Sequence, residues 1–203
     1  MARKKCPACR STDTVDILYG MPTQDAYESA KRGEVVLGGC CISDVSPAKH
    51  CKECGQEFGC ENLFSVVDIQ SFELYIGGFY ATSYFVYIDG SRESKHIRYA
   101  KTPGGMSVDL KQCNDELDIN IEEIPLTNKQ WLEFTDEIST LEIVCWKDRY
   151  DDELMFDGTQ WDLTIEFSEH NQINKSGSNK YPPYWEQFIK ILKKYIDQDM
   201  DID

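Results

Sequence analysis

The sequence predicts an α+β fold for this chain of 203 residues. Three observations carry the expectation. Two cysteine pairs stand near the N-terminus, Cys6-Pro7-Ala8-Cys9 and Cys51-Lys52-Glu53-Cys54, and each has the spacing of a metal-clamped turn. From residue 72 to 101, apolar and β-branched side chains alternate around glycine-containing turns, as strands do. Two later segments, opened by Thr127-Asn128-Lys129-Gln130 and by Pro182-Pro183, carry apolar side chains at helical spacing.

The cysteine pairs come first in the chain. Two intervening residues let a tight turn aim both thiolates at one tetrahedral ion, so Cys6, Cys9, Cys51 and Cys54 read as one structural Zn2+ site. Gly55 follows the second pair, where positive φ turns backbone amides toward the sulfurs; Arg10 holds the equivalent place after the first. The pairs are 41 residues apart, against roughly 15–20 in compact ribbons. The connection therefore holds extra structure. Thr23 to Arg32 reads as a short helix with Thr23 as N-cap and Gly33 as the stop, and Val35 to Ile42 as a strand returning toward the second turn.

Free core thiols, a redox dithiol and an iron site are the rival readings. A redox dithiol usually occurs once, near a βαβ pattern, whereas here there are two pairs beside strand-like sequence. His50 adjoins Cys51, and neighbours seldom both reach one ion; Cys40 and Cys41 read as strand residues. A ribbon this small buries too little apolar surface to hold itself. Metal binding would supply its folding free energy, of order 10–16 kcal/mol for zinc in finger peptides.

The run Cys6-Pro-Ala-Cys9, Tyr19-Gly-Met-Pro22, Gly33 through Cys40 and His50-Cys-Lys-Glu-Cys54 resembles a zinc-ribbon segment of uncharacterised bacterial proteins, over roughly residues 5–58. Trp146 to Tyr150, Asp157 to Trp161, Ser176 to Asn179 and Tyr181-Pro-Pro-x-Trp185 are likewise similar to a module in uncharacterised bacterial proteins. The resemblance implies a metal-stabilised module and no activity.

Charge divides the chain. Residues 1–60, the ribbon domain, carry eight basic and eight acidic side chains, so residues 61–203 hold the whole net charge of −15. That second, acidic α+β domain should repel phosphate backbones. Arg3, Lys4, Lys5 and Arg10 form the one basic spot, which confines any nucleic-acid contact to the ribbon. No apolar run reaches the ~18 residues of a membrane span, and the N-terminus lacks a secretion signal. Nine cysteines, four of them in metal spacing, suit a reducing compartment and place the protein in the cytoplasm.

After the ribbon the elements follow in order. Phe72, Leu74 and Ile76 mark a strand that Gly77-Gly78 ends. Tyr80 to Ile88 is apolar on both faces and so central in a sheet. Asp89-Gly90 turns into Lys95 to Lys101, and Pro103-Gly104-Gly105 turns again. Leu117, Ile119 and Ile121 alternate with polar residues, with a bulge or strand end expected at Glu123-Ile124. The capping box at Thr127 opens a helix bearing Trp131, Phe134 and Ile138. Leu141 to Trp146 is ambiguous between helix end and strand. Trp161, Leu163, Ile165 and Phe167 alternate with Asp162, Thr164 and Glu166, giving one buried and one wet face. His170 to Lys180 reads as a polar loop or hairpin turn, and the stripe from Trp185 to Ile196 as a core-facing helix.

No catalytic machinery is recognisable. Cys145 or Cys113 with His96 or His170 sits in no nucleophile motif, and Cys145 reads as a core thiol. The acidic run Asp148, Asp151, Asp152, Glu153 and Asp157 lacks calcium-loop spacing. Gly77-Gly78 and Gly104-Gly105 lack the lysine and helix start of a phosphate cradle. Trp146, Lys147, Arg149, Tyr150 and Trp161, with Ser178 and Asn179, form a candidate partner-binding patch for a peptide carboxylate or small anion; core anchors with solvated charges are the competing reading.

The expected function is therefore a zinc-binding, non-catalytic adaptor whose partner is another protein. Two alternatives stay open: a regulatory or phage-defence accessory in a nucleic-acid-linked pathway, and an enzyme whose site is scattered through the sequence.

Overall fold

The computed structural model describes residues 5–41, 46–59, 69–91, 95–112, 119–152, 157–167, 172–196 and 200. The chain divides into two compact units, Met1–Ser65 with Leu141–Trp146, and Val66–Thr140 with Lys147–Asp203. The architecture is α+β with largely antiparallel sheets.

In the first unit a four-stranded sheet has the order β2-β1-β3-β4, from β1 (Thr14–Leu18), β2 (Val35–Leu37), β3 (Lys49–Cys51) and β4 (Glu57–Phe58). β1 and β2 run parallel, so a crossover must join them, and α1 (Gln24–Lys31) supplies it. The Thr23 hydroxyl accepts from the Ala26 N–H at its start. At its end Gly33 takes φ +70°, with Gly33 N–H donating to Ala30 O and Glu34 N–H to Ser29 O, the paired bonds of a left-handed helix stop. β2 is shorter than the strand read from Val35 to Ile42, because its partner β1 ends at Leu18; Ile42 lies outside the described residues. The segment Leu141–Trp146 is neither helix end nor strand. It makes a 3-10 turn at Ile143–Cys145, and Glu142 Oε2 accepts from the Gly59 N–H at 2.9 Å.

The second unit is built on a seven-stranded sheet of order β8-β7-β6-β5-β10-β11-β9. Its strands are β5 (Ile69–Gly77), β6 (Ser83–Asp89), β7 (Lys95–Thr102), β8 (Ile121–Leu126), β9 (Arg149–Asp151), β10 (Gln160–Phe167) and β11 (Gln172–Ser178). β6 is buried along its whole length between β5 and β7, as its two apolar faces require. β8 runs through Glu123 and Ile124 in unbroken register, without the bulge expected there. Pro125 is tolerated because β8 is an edge strand. Residues 113–118, including Leu117 of the expected strand, lie outside the description.

β11 overturns the loop reading of Gln172 to Ser178. The segment is polar, but it pairs residue for residue with β10 on one side and with parallel β9 on the other, and pairing outweighs its weak strand propensity. Gly177 fits where a side chain would not. A Cβ there would come 2.4 Å from Trp161 Nε1 and 2.6 Å from Tyr150 O.

Both helices cover one face of this sheet. α2 (Asn128–Ser139) opens with the full capping box, and its Phe134 ring meets Phe72 edge-on at 5.7 Å. α3 (Trp185–Ile196) brings Phe188 to 5.8 Å from Phe72 and Trp185 to 4.9 Å from Trp161. The period of two then sends Glu73, Tyr75, Phe85, Tyr87, Asp162 and Glu166 to the opposite face. There the segment 103–112 lies across the strands, with Val108 and Leu110 buried among Phe85, Tyr87 and Ala100.

Replacing Gly177 with Ala should destabilise the second unit by about 1–3 kcal/mol through overpacking against Trp161. Urea unfolding followed by tryptophan fluorescence checks this; an unchanged midpoint would contradict the packing described.

Candidate metal centre

Two turns of the first unit share one backbone design. Cys6 N–H donates to Ser11 O and Arg10 N–H to Cys6 O, both at 2.9 Å. The second turn repeats the pattern, with Cys51 N–H donating to Gln56 O and Gly55 N–H to Cys51 O, again at 2.9 Å. Arg10 has φ +61° and Gly55 φ +71°, so the residue after each pair is left-handed. Glycine takes that conformation freely, whereas Arg10 bears a cost of about 1–2 kcal/mol for its Cβ. The turn keeps its shape although the sequence departs from glycine.

The sheet places the turns side by side. β1 follows the first turn and pairs antiparallel with β3, with Thr14 opposite Cys51, and Lys52 N–H donates to Asp13 O at 3.0 Å. Four sulfurs thereby converge. Cys6 Sγ is 3.6 Å from Cys54 Sγ, Cys9 Sγ is 3.5 Å from Cys51 Sγ, and all four lie within 4.8 Å of one another. A tetrahedral zinc with Zn–S near 2.3 Å needs sulfurs about 3.8 Å apart. The site therefore has the size of one ion.

Cys6 and Cys51 are buried and Cys9 and Cys54 exposed, so the cluster stands half in the unit and half at its surface. Burial raises the Cys6 thiol and pushes Cys54 up to about 12. Burial opposes ionisation of Cys51 too, but the backbone N–H groups of Cys54 and Glu53 and the thiols of Cys9 and Cys6 bring it down to about 7. Four thiols this close share the first negative charge, and a divalent cation is what lets the rest ionise. An all-sulfur tetrahedral set suits zinc, and Cys6, Cys9, Cys51 and Cys54 would hold it. Cys6 and Cys51 form a buried cluster with Phe58.

The neighbouring candidates do not join the cluster. His50 sits on β3 with Nδ1 3.6 Å from Glu57 Oε1, and Cys40 and Cys41 are exposed free thiols. Cys145, read as a core thiol, is disulfide-bonded. Cys113 and His170 lie outside the described residues. Two members of the acidic run are paired, Asp148 accepting from Lys175 Nζ at 2.8 Å and Asp151 pairing with Arg149; Glu153 lies outside the described residues. The glycine pairs meet each other, since a Cβ on Gly104 would come 2.4 Å from Gly78 O, which identifies them as a close backbone approach.

The expected partner patch is placed differently from an open surface. Trp146, Tyr150 and Trp161 are buried, with exposures of 3%, 6% and 0%. Trp161 Nε1–H donates to Lys180 O, and Tyr150 Oη accepts from Lys147 N–H, each at 2.9 Å. Ser178 Oγ accepts from Gln160 Nε2 and Asn179 Oδ1 from Thr159 N–H. Lys147 and Arg149 are exposed, so what faces solvent is two cations without their aromatic companions. Tyr150 and Trp161, with ring centres 6.1 Å apart, instead anchor the second unit's sheet.

Compared with family models, curated proteins and solved structures, the chain finds no match. The likeness of its two segments to uncharacterised bacterial proteins gains no support there, and the metal centre rests on its own geometry.

Replacing Cys54 with Ser should drop zinc content from one ion per chain toward none. Amide exchange should then become fast across β1, β3 and β4 while β5, β6 and β10 keep their protection. Elemental analysis with hydrogen-exchange mass spectrometry reads both, and retained stoichiometric zinc would count against the four-sulfur site.

Proposed function

We propose that this protein is a zinc-stabilised binding module: the metal holds the first unit in shape, and the acidic second domain engages a basic protein surface, without chemistry of its own. The observation that carries the reading is the convergence of four sulfurs from two matched turns on one point. A closed set of four protein ligands leaves no position for water or substrate, which is the pattern of a structural ion and not of a catalytic one. Residues 61–203 carry 28 acidic side chains against 13 basic, which favours a cationic protein partner and disfavours a phosphate backbone.

No helix among the described residues is long and apolar enough to cross a membrane. The cytoplasm belongs to the same proposal. Free cysteines at six described positions suit a reducing compartment, and the disulfide at Cys145 is the observation that pulls the other way.

The test is cross-linked capture from the native cell with the zinc-loaded chain. A basic protein recovered at low ionic strength and lost above about 0.3 M salt, where screening falls to a few ångströms, is the expected result. Retention on DNA with a log–log salt slope of about −4 or steeper would contradict it and point to nucleic acid.

A further inference from the structure

The sheet face turned away from the helices repeats one chemical pattern at two neighbouring places. At the first place the pattern is filled from within the chain. Lys111 Nζ lies 3.1 Å from Glu73 Oε2, 2.9 Å from Glu166 Oε1 and 6.0 Å from the centre of the Tyr87 ring. An ammonium is thus held by two carboxylates beside an aromatic ring. Ser71 Oγ–H also donates to Glu166, and with Lys111 it holds that carboxyl below its ordinary range.

Two residues along the strands a carboxylate and rings recur, with Glu73 shared between the two places. Asp162 stands opposite Tyr75, and Tyr75 opposite Phe85, so a carboxylate and two rings form one row across β10, β5 and β6. The two rings are 5.0 Å apart. Among the described residues no side chain fills the space above them. A cavity of about 420 Å3 opens between the strands and the crossing segment, lined by Glu73, Tyr75, Phe85, Met106, Val108 and Asp162 among others. That volume lies within the range of small-ligand sites. The segment over it is fixed on the far side, where Arg98 Nη1 donates to Leu110 O at 3.0 Å.

Asp162 makes no ion pair among the described residues. The cation that acts on it is Arg149, whose guanidinium pairs with Asp151. Partial burial raises the Asp162 pKa despite that cation. Asp162 is solvent-exposed on β10 and borders the cavity, so its carboxylate is open to a cation that arrives with its own apolar stem.

We propose that this cavity binds an organic cation, an alkylammonium or guanidinium group on a short apolar stem, held by Asp162 over the rings of Tyr75 and Phe85, beside the Glu73 carboxylate that Lys111 already pairs. The stem lies along Met106 and Val108. The cation is either a free amine or the side chain of a lysine or arginine on a partner protein, and one set of groups recognises both. The site owes nothing to the metal centre, so its failure would leave the zinc reading untouched.

Calorimetric titration of the zinc-loaded full chain tests it, with 1,5-diaminopentane and Nα-acetyl-lysine amide as probes and 1-pentanol as the uncharged control. Saturable binding of at least one cationic probe is expected, with none for the alcohol. Asp162→Asn should weaken it about tenfold or more, the scale of a hydrogen bond to a charged group. Phe85→Leu should weaken it several-fold, and melting temperatures of both variants confirm that they fold. Tighter binding of the diamine identifies a free amine as the source, and tighter binding of the lysine amide identifies a partner's side chain. No heat at about 10 mM of either cation, where a millimolar site is mostly filled, overturns the proposal. So does Asp162→Asn titrating like the parent chain, which would mean diffuse attraction to an acidic surface.

Discussion

The first unit depends on four sulfurs being brought to one point. Its strands are two to five residues long, its helix buries nothing, and Cys6 and Cys51 pack with Phe58 in one buried cluster. Elements this short gain little from pairing alone, so an ion shared by the four sulfurs would add to their cohesion. Thiolates packed at 3.5–3.6 Å would repel one another without a cation, so the same feature that needs an ion also supplies the cohesion once the ion is present. The two turns are shaped for this before any metal enters. Their backbone hydrogen bonds match one for one, even where Arg10 replaces the glycine that the conformation prefers.

The second unit rests on sheet and helix packing. A wide sheet buries one face under two amphipathic helices, and aromatic contacts around Phe72 and Trp161 tie the layers together. The other face is covered by a crossing segment and not by a helix, so it retains carboxylates, rings and space. Acidic side chains that look like a solvated surface along the sequence are in fact sorted. Some pair internally, as Asp148 does with Lys175 and Glu166 with Lys111, while Asp162 faces the cavity.

Much of this was legible in the residues. The Cys-x-x-Cys spacing announced the cluster because ligand geometry is local to each turn, and Thr127 and Gln130 announced the α2 cap for the same reason. Strict alternation from Trp161 to Phe167 marked β10, since one of its faces is buried and the other is not. What escaped was decided by partners far away in the chain. β11 is polar and becomes a strand only because β10 and β9 flank it. Leu141–Trp146 sits with the first unit, a placement that no local pattern encodes. Trp146, Tyr150 and Trp161 look like a contact patch in a sequence and are core residues in space, because aromatic rings serve both ends equally well. The cavity was hidden for a related reason: Glu73, Phe85 and Asp162 are 89 residues apart from first to last, and only the strand register sets them in adjacent rows.

X-ray absorption at the zinc edge of the purified chain tests the central claim most directly. The account predicts a first shell of four sulfurs at about 2.3 Å, with no light-atom ligand. A shell containing nitrogen or oxygen, or fewer than four sulfurs, would contradict it.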